Sequence, residues 1–137
     1  MAMTGRCLCG AISYRIEGEP AMALACHCKN CQRQAGTALS TIIGVPAAMV
    51  AVEGTPRMFL DKGDSGGDVE RHFCSTCGSP LYSRVAAAAD MIFIKAGTLD
   101  DTSGFAPQMH VWTQSAQDWF DPGDVPAFAT LPGAPGP

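Results

Sequence analysis

The sequence predicts a mainly β domain with little helix. Three observations carry that expectation: apolar residues recur with a period of two rather than 3.6, the apolar runs are short, and Gly, Pro and Asp punctuate them. Ile12, Tyr14 and Ile16 alternate with Ser13 and Arg15, the pattern of a strand with one buried face. From Lys29 to Ala35 the chain carries its one helical candidate near the cysteines, and Gly36 suits the left-handed position that ends it. Residues 41–43, 57–60, 69–74, 81–83 and 91–94 read as further short strands. The segment 61–68 is a polar, glycine-rich hairpin connection expected to be mobile. Residues 86–89 are alanines too few to hold a helix alone, so an interstrand loop is an equal reading. His110 precedes Val111 and Trp112 on another expected strand. From Pro122 onward prolines accumulate, and a single domain over 1–127 is expected to give way to a flexible Pro/Gly-rich tail over 128–137.

Composition narrows the function. A chain of 137 residues with 47% hydrophobic content is long enough for one packed core and short for two. The net charge of −4 and the lack of a Lys/Arg run argue against nucleic acid or an anionic membrane surface as partner. No stretch approaches the roughly 18 apolar residues of a spanning helix. A cytoplasmic protein in a reducing compartment is expected.

The chemistry lies in seven cysteines, which fall into three tight groups: Cys7-x-Cys9, Cys26-x-Cys28-x2-Cys31 and Cys74-x2-Cys77. Seven is odd, and no apolar leader is read ahead of Cys7, so a secreted disulfide framework is disfavoured. Scattered core cysteines would not cluster this way. The spacing points to two zinc ions. In an extended C-x-C both side chains point to one face, and a C-x2-C followed by Gly78 is a turn that brings two sulfurs together. Cys7, Cys9, Cys74 and Cys77 therefore supply the four thiolates of a closed structural site. Cys26, Cys28 and Cys31 supply three, which leaves a fourth position open for a small ligand and marks a catalytic zinc. A histidine closing that position, from His27, His72 or His110, is the competing reading. It would make the chain a noncatalytic zinc-stabilised binding module.

Three segments carry a family resemblance: Gly5-Arg6-Cys7-Leu8-Cys9-Gly10-Ala11-Ile12-Ser13-Tyr14, Cys26-His27-Cys28-Lys29-Asn30-Cys31-Gln32-Arg33-Gln34-Ala35-Gly36, and Arg71-His72-Phe73-Cys74-Ser75-Thr76-Cys77-Gly78-Ser79-Pro80. With Gly97-Thr98-Leu99-Asp100-Asp101, Pro107-x2-His110 and Trp119-x6-Pro126, they resemble the glutathione-dependent formaldehyde-activating family, which also includes centromere protein V. Lys29 and Gln32 stand where relatives often carry Ser and Arg. The resemblance implies a zinc-bound β-tent of short antiparallel sheets, with the same division of ligands between a structural and a catalytic zinc. It also implies a carbon–sulfur lyase that joins glutathione, as thiol co-substrate, to formaldehyde or cleaves the S-hydroxymethylglutathione formed. Small thiols and aldehydes would then be its partners. Arg33 and Arg71 are candidate glutathione contacts by bidentate pairing with carboxylates. His110 is a candidate proton shuttle or metal-supporting residue, with a satisfied core histidine as the competing reading, and His27, between two ligands, is expected to point away from the metal.

Overall fold

The computed structural model describes residues 2–132 and is mainly β, with one short α-helix. Strands β1 (Ala2–Arg6), β2 (Ser13–Glu17) and β5 (Val50–Glu53) form an antiparallel sheet in the order β1-β2-β5. A second sheet is built from β3 (Met22–Cys26), β4 (Ser40–Pro46), β6 (Arg57–Lys62), β7 (Asp68–Phe73), β8 (Pro80–Val85), β9 (Met91–Lys95) and β10 (Met109–Val111). Its order is β10-β3-β4-β9-β8-β7-β6. One parallel pair, β10 with β3, joins strands that are otherwise antiparallel. The connection from β9 carries the chain past β4 and β3 to the edge of the sheet, where β10 lies beside β3.

The alternation of side chains decides what each face of the large sheet does. Ile43 and Val45 of β4 pair with Ile94 and Ile92 of β9. All four are buried and join Ile12, Tyr14 and Ile16 in one core between the sheets. Ile16 is fully buried, and such a side chain contributes about 1.5–3 kcal/mol by leaving water. The intervening residues face the other way. Arg71 pairs with Ser83, Ser83 with Phe93, Lys95 with Ile42, Ile42 with Leu24, and Val111 with Cys26. That row lines a cavity on the side away from the core.

The helix α1 (Lys29–Ala35) has the expected bounds. Cys28 caps its start by accepting the Cys31 N–H on sulfur at 3.2 Å, and Gly36 ends it with φ +71° and a bond to the Gln32 carbonyl. Residues 86–88 form a single 3₁₀ turn rather than a helix. The connection expected at 61–68 narrows to a turn between Lys62 and Asp68, closed by Gly63 N–H to Gly67 O at 2.8 Å. In the segment expected to be a flexible tail, the Phe128 N–H donates to His110 O at 2.8 Å and the Thr130 carbonyl accepts from Trp112 N–H at 3.0 Å. Residues 133–137 of that segment lie outside the described residues.

Candidate metal centres and the cavity beside them

The four-cysteine group is built from two turns of similar design. After β1, Cys7 bonds Ile12 O through its N–H, Gly10 takes φ +83°, and the Ile12 N–H returns to the Cys7 sulfur at 3.3 Å. After β7, the Gly78 N–H closes on Cys74 O at 2.8 Å with φ +80°, and the Thr76 N–H reaches the Cys74 sulfur at 3.4 Å. Both glycines hold the left-handed conformation that a side chain would strain. The turns meet although Cys9 and Cys74 are 65 positions apart. The Cys7 and Cys9 sulfurs are 3.7 Å apart, as are those of Cys9 and Cys74. Thiolates each about 2.3 Å from a tetrahedral ion stand about 3.8 Å from one another. This group could therefore hold a metal ion.

The three-cysteine group comes from one short segment. Cys26 ends β3, Cys28 caps α1 and Cys31 lies in its first turn; all three are buried and form a cluster with Val111. Within each cysteine group the sulfurs lie within 4.8 Å of one another. Among the described residues no histidine or carboxylate joins the three sulfurs.

The charges show why a cation suits both groups. Hydrogen bonds from the Ser79 hydroxyl and backbone pull Cys77 down to about 5. The Ala11 N–H favours a Cys9 thiolate, but desolvation and the sulfurs of Cys7, Cys74 and Cys77 outweigh it and push that thiol up to about 11. In the second group, hydrogen bonds from Cys26 and Cys28, aided by Lys95 and Arg71, hold Cys31 far below the ordinary thiol value against burial. Cys28 and Cys31, and then burial, drive Cys26 far above it. Clustered sulfurs cannot all be thiolates unless something positive sits among them, and a dication fits that place.

The histidines are elsewhere. His110 pairs in register with Ala25, on the face opposite Cys26, and its Nδ1 lies 3.0 Å from His27 Nε2. Phe120 packs against both rings. His27 Nδ1 is buried without a partner, so we assign the proton to His27 Nε2, which donates to His110; the orphan is then a lone pair rather than a stranded N–H. His72 stacks on Tyr82 and lies 3.2 Å from Glu70. The structure thus brings none of the three histidines to the open side of Cys26, Cys28 and Cys31.

The cavity beside those cysteines has a volume of about 240 Å³ and a wall that is overwhelmingly apolar. Arg71 reaches it and holds Asp61 at 2.9 Å; burial disfavours its charge, but Asp61 and Cys31 more than restore it. Arg33 is exposed on α1, outside this cavity, and shares with Arg71 a neighbouring recess that also contains Asn30, Gln34, Phe59 and Asp61, the partner of Arg71.

Lys95 escaped the reading of the sequence, as did the tethering role of Gln32 and the backbone strain at Trp112. Lys95 is 7% exposed in the cavity wall and donates to Ser40 Oγ at 2.7 Å. Burial lowers its pKa, against the pull of Cys31. Its signal was the alternation that sets Phe93 and Lys95 opposite Ile92 and Ile94. Gln32, also buried, donates to His27 O at 2.8 Å and Ser115 O at 2.9 Å, and so ties α1 to the segment after β10. Trp112 forms part of the cavity wall at φ +58°, the one positive φ outside glycine among the described residues. Such a conformation costs on the order of 1–3 kcal/mol, and the bonds of Trp112 and Thr113 to residues 128–130 hold it in place.

A mainly β domain with two cysteine groups that could hold metal ions, one of them opening on a cavity, defines the class. The sequence profile of the family described as glutathione-dependent formaldehyde-activating enzyme matches residues 2–115, and the chain belongs to that family. A Halomonas elongata protein provisionally named a glutathione-dependent formaldehyde-activating enzyme is 26% identical over 88% of this chain and 81% of its own length. Similarly named proteins of Fusarium vanettenii and Aspergillus flavus are each 30% identical over 58% of this chain, which spans less than half of their lengths. A solved Rhodobacter sphaeroides protein shares the fold with a TM-score of 0.59 at 23% identity, over 91% of this chain and 99% of its own.

Proposed function

We propose that the chain is a zinc-dependent carbon–sulfur lyase that forms or cleaves S-hydroxymethylglutathione or a related thiol adduct. The observation that carries this reading is the group of three buried sulfurs facing a cavity, with no fourth ligand from the described residues. Cys7, Cys9, Cys74 and Cys77 would hold a structural zinc, and Cys26, Cys28 and Cys31 would hold a second, which would supply the positive charge that lowers a thiol's pKa.

The chain's own residues do the rest. Arg33 and Arg71, which share one recess, receive the carboxylates of glutathione and orient its sulfur towards the cysteines. The largely apolar cavity would surround the reacting carbonyl carbon. His110 acts through His27: together they hold the peptide between Cys26 and Cys28, whose His27 N–H bonds Val111 O at 3.0 Å and whose His27 O accepts from Gln32. Seven unpaired cysteines suit a reducing compartment, and we place the protein in the cytoplasm.

Cobalt-loaded protein tests this directly. Reduced glutathione is expected to change the visible absorption of the three-cysteine site, and S-methylglutathione, which cannot ionise at sulfur, is expected to leave it unchanged. A spectrum that ignores every thiol, in protein that also fails to speed formaldehyde–glutathione exchange by NMR, makes the noncatalytic zinc module the better account.

A further inference from the structure

Formaldehyde has one more heavy atom than water, and water takes roughly 30 Å³ in the liquid. The cavity at the three cysteines, at about 240 Å³, is several times larger than such a substrate needs. Leu24, Ile42, Phe93, Val111 and Trp112 form much of its wall, the turn carrying Asp64 and Asp68 also borders it, and its buried cation beside Ser40 is Lys95. An ammonium has three protons to donate. One goes to Ser40 Oγ, and Lys95 makes no other hydrogen bond among the described residues, with the sulfurs of Cys31, Cys26 and Cys28 near enough to favour its charge. Arg71, the other buried cation, pairs with Asp61 and also lines the recess with Arg33, where the proposed function sets glutathione. The backbone strain at Trp112 lies in this same wall. Glutathione, with two carboxylates, is a poor match for an apolar chamber; the recess with Arg33 lies outside it and meets it at Arg71.

We propose that the carbonyl partner is an aldehyde with a branched or aromatic substituent, which fills this cavity and sets its oxygen on the Lys95 ammonium. The assignment rests on the thiol-adduct reading above and names its substrate class. In the forward step a sulfur lone pair forms the C–S bond and the C=O π pair moves to oxygen, where Lys95 hydrogen-bonds it. The proton given up by the thiol ends on that oxygen, so the product is a hydroxyalkyl thioether and no other reagent is consumed. The reverse step breaks the same C–S bond and returns both reactants.

Two measurements on the zinc-loaded protein test this. In a Trp119→Phe background, Trp112 fluorescence reports the binding of phenylacetamide, an unreactive analogue, with acetamide as control. Phenylacetamide is expected to bind about tenfold or more tightly than acetamide, since each buried methylene is worth roughly fourfold. Lys95→Met, which keeps the length of the side chain, is expected to weaken that binding about tenfold. Equal binding of the two amides, or binding that Lys95→Met leaves unchanged, overturns the assignment. Should Lys95→Met not fold, Ile42→Phe, which extends a ring into the cavity, is expected to produce the same loss, and its failure to do so counts equally against the proposal. The second measurement compares kcat/KM for phenylacetaldehyde and formaldehyde with glutathione. A preference of about tenfold or more for phenylacetaldehyde supports the proposal. Acceleration with formaldehyde but no such preference overturns the substrate class and leaves the thiol-adduct reading standing, whereas acceleration with neither aldehyde overturns both.

Discussion

The two cysteine groups hold their sulfurs in equally tight clusters but stand in opposite relations to the fold. Cys7, Cys9, Cys74 and Cys77 join turns that follow β1 and β7, strands of different sheets, so their assembly requires the long loop between them to close. Two of them, Cys7 and Cys74, are part of the main core. Cys26, Cys28 and Cys31 arise within one segment, pack in a separate small cluster, and leave the main core intact around them. A metal in the first group closes a loop and adds to folding; a metal in the second has little folding left to do and is free to exchange ligands.

The largest expected effect breaks the first group. Cys77→Ser should abolish cooperative thermal unfolding, because structural zinc supplies about 10–16 kcal/mol in small domains and a whole domain is held by only about 5–15. Circular dichroism with temperature checks this. A retained sharp transition would remove the distinction between the groups.

The next effect sharpens the comparison at the local site. Gln32→Met removes the donor for His27 O and Ser115 O, two carbonyls in a buried or half-buried setting, and is expected to cost about 1–3 kcal/mol in denaturant unfolding. The zinc count should not change. A smaller stability effect is expected from Cys28→Ser. Serine is itself a good helix cap and can still accept the Cys31 N–H, so the melting point should fall by only about 3 °C while the second zinc and thiol binding are lost.

The smallest effect concerns pH. Burial, and for His27 also the charge of His110, hold both histidines below their ordinary value. The unfolded chain takes up their protons near pH 6.5, while the folded chain does so only at lower pH. Their contribution is therefore complete above about pH 7 and declines as pH falls through that window. His110→Phe should make the fall in stability between pH 7 and 5.5 shallower, as followed by urea midpoints at each pH.

What could be read from the sequence was whatever local pattern determines. The cysteine spacing grouped the ligands because C-x-C and C-x2-C-G are short-range geometries, and Gly36 marked the end of α1 because the left-handed cap is a property of one residue. The Ile12–Tyr14–Ile16 alternation marked β2. Strands β1, β3 and β5 were missed: Ala2–Arg6 and Met22–Cys26 have no clear alternation, and only pairing with neighbours makes them strands. Lys95 and His110 show the deeper limit. Which face each presents depends on the register of β9 against β4 and of β10 against β3, and that is set by contacts far apart in the chain. Thus the pattern left His110 open between proton shuttle, metal-supporting residue and core histidine, and the register sets it against His27, while Lys95 lies in the cavity wall.

The measurement that tests the division most directly is zinc release from the wild-type chain during titration with a chromogenic chelator, with circular dichroism recorded on the same samples. Two zinc ions per chain are expected, the first leaving readily with the spectrum unchanged and the second leaving only as the fold is lost. A single zinc per chain, or two that depart together with unfolding, would contradict the account.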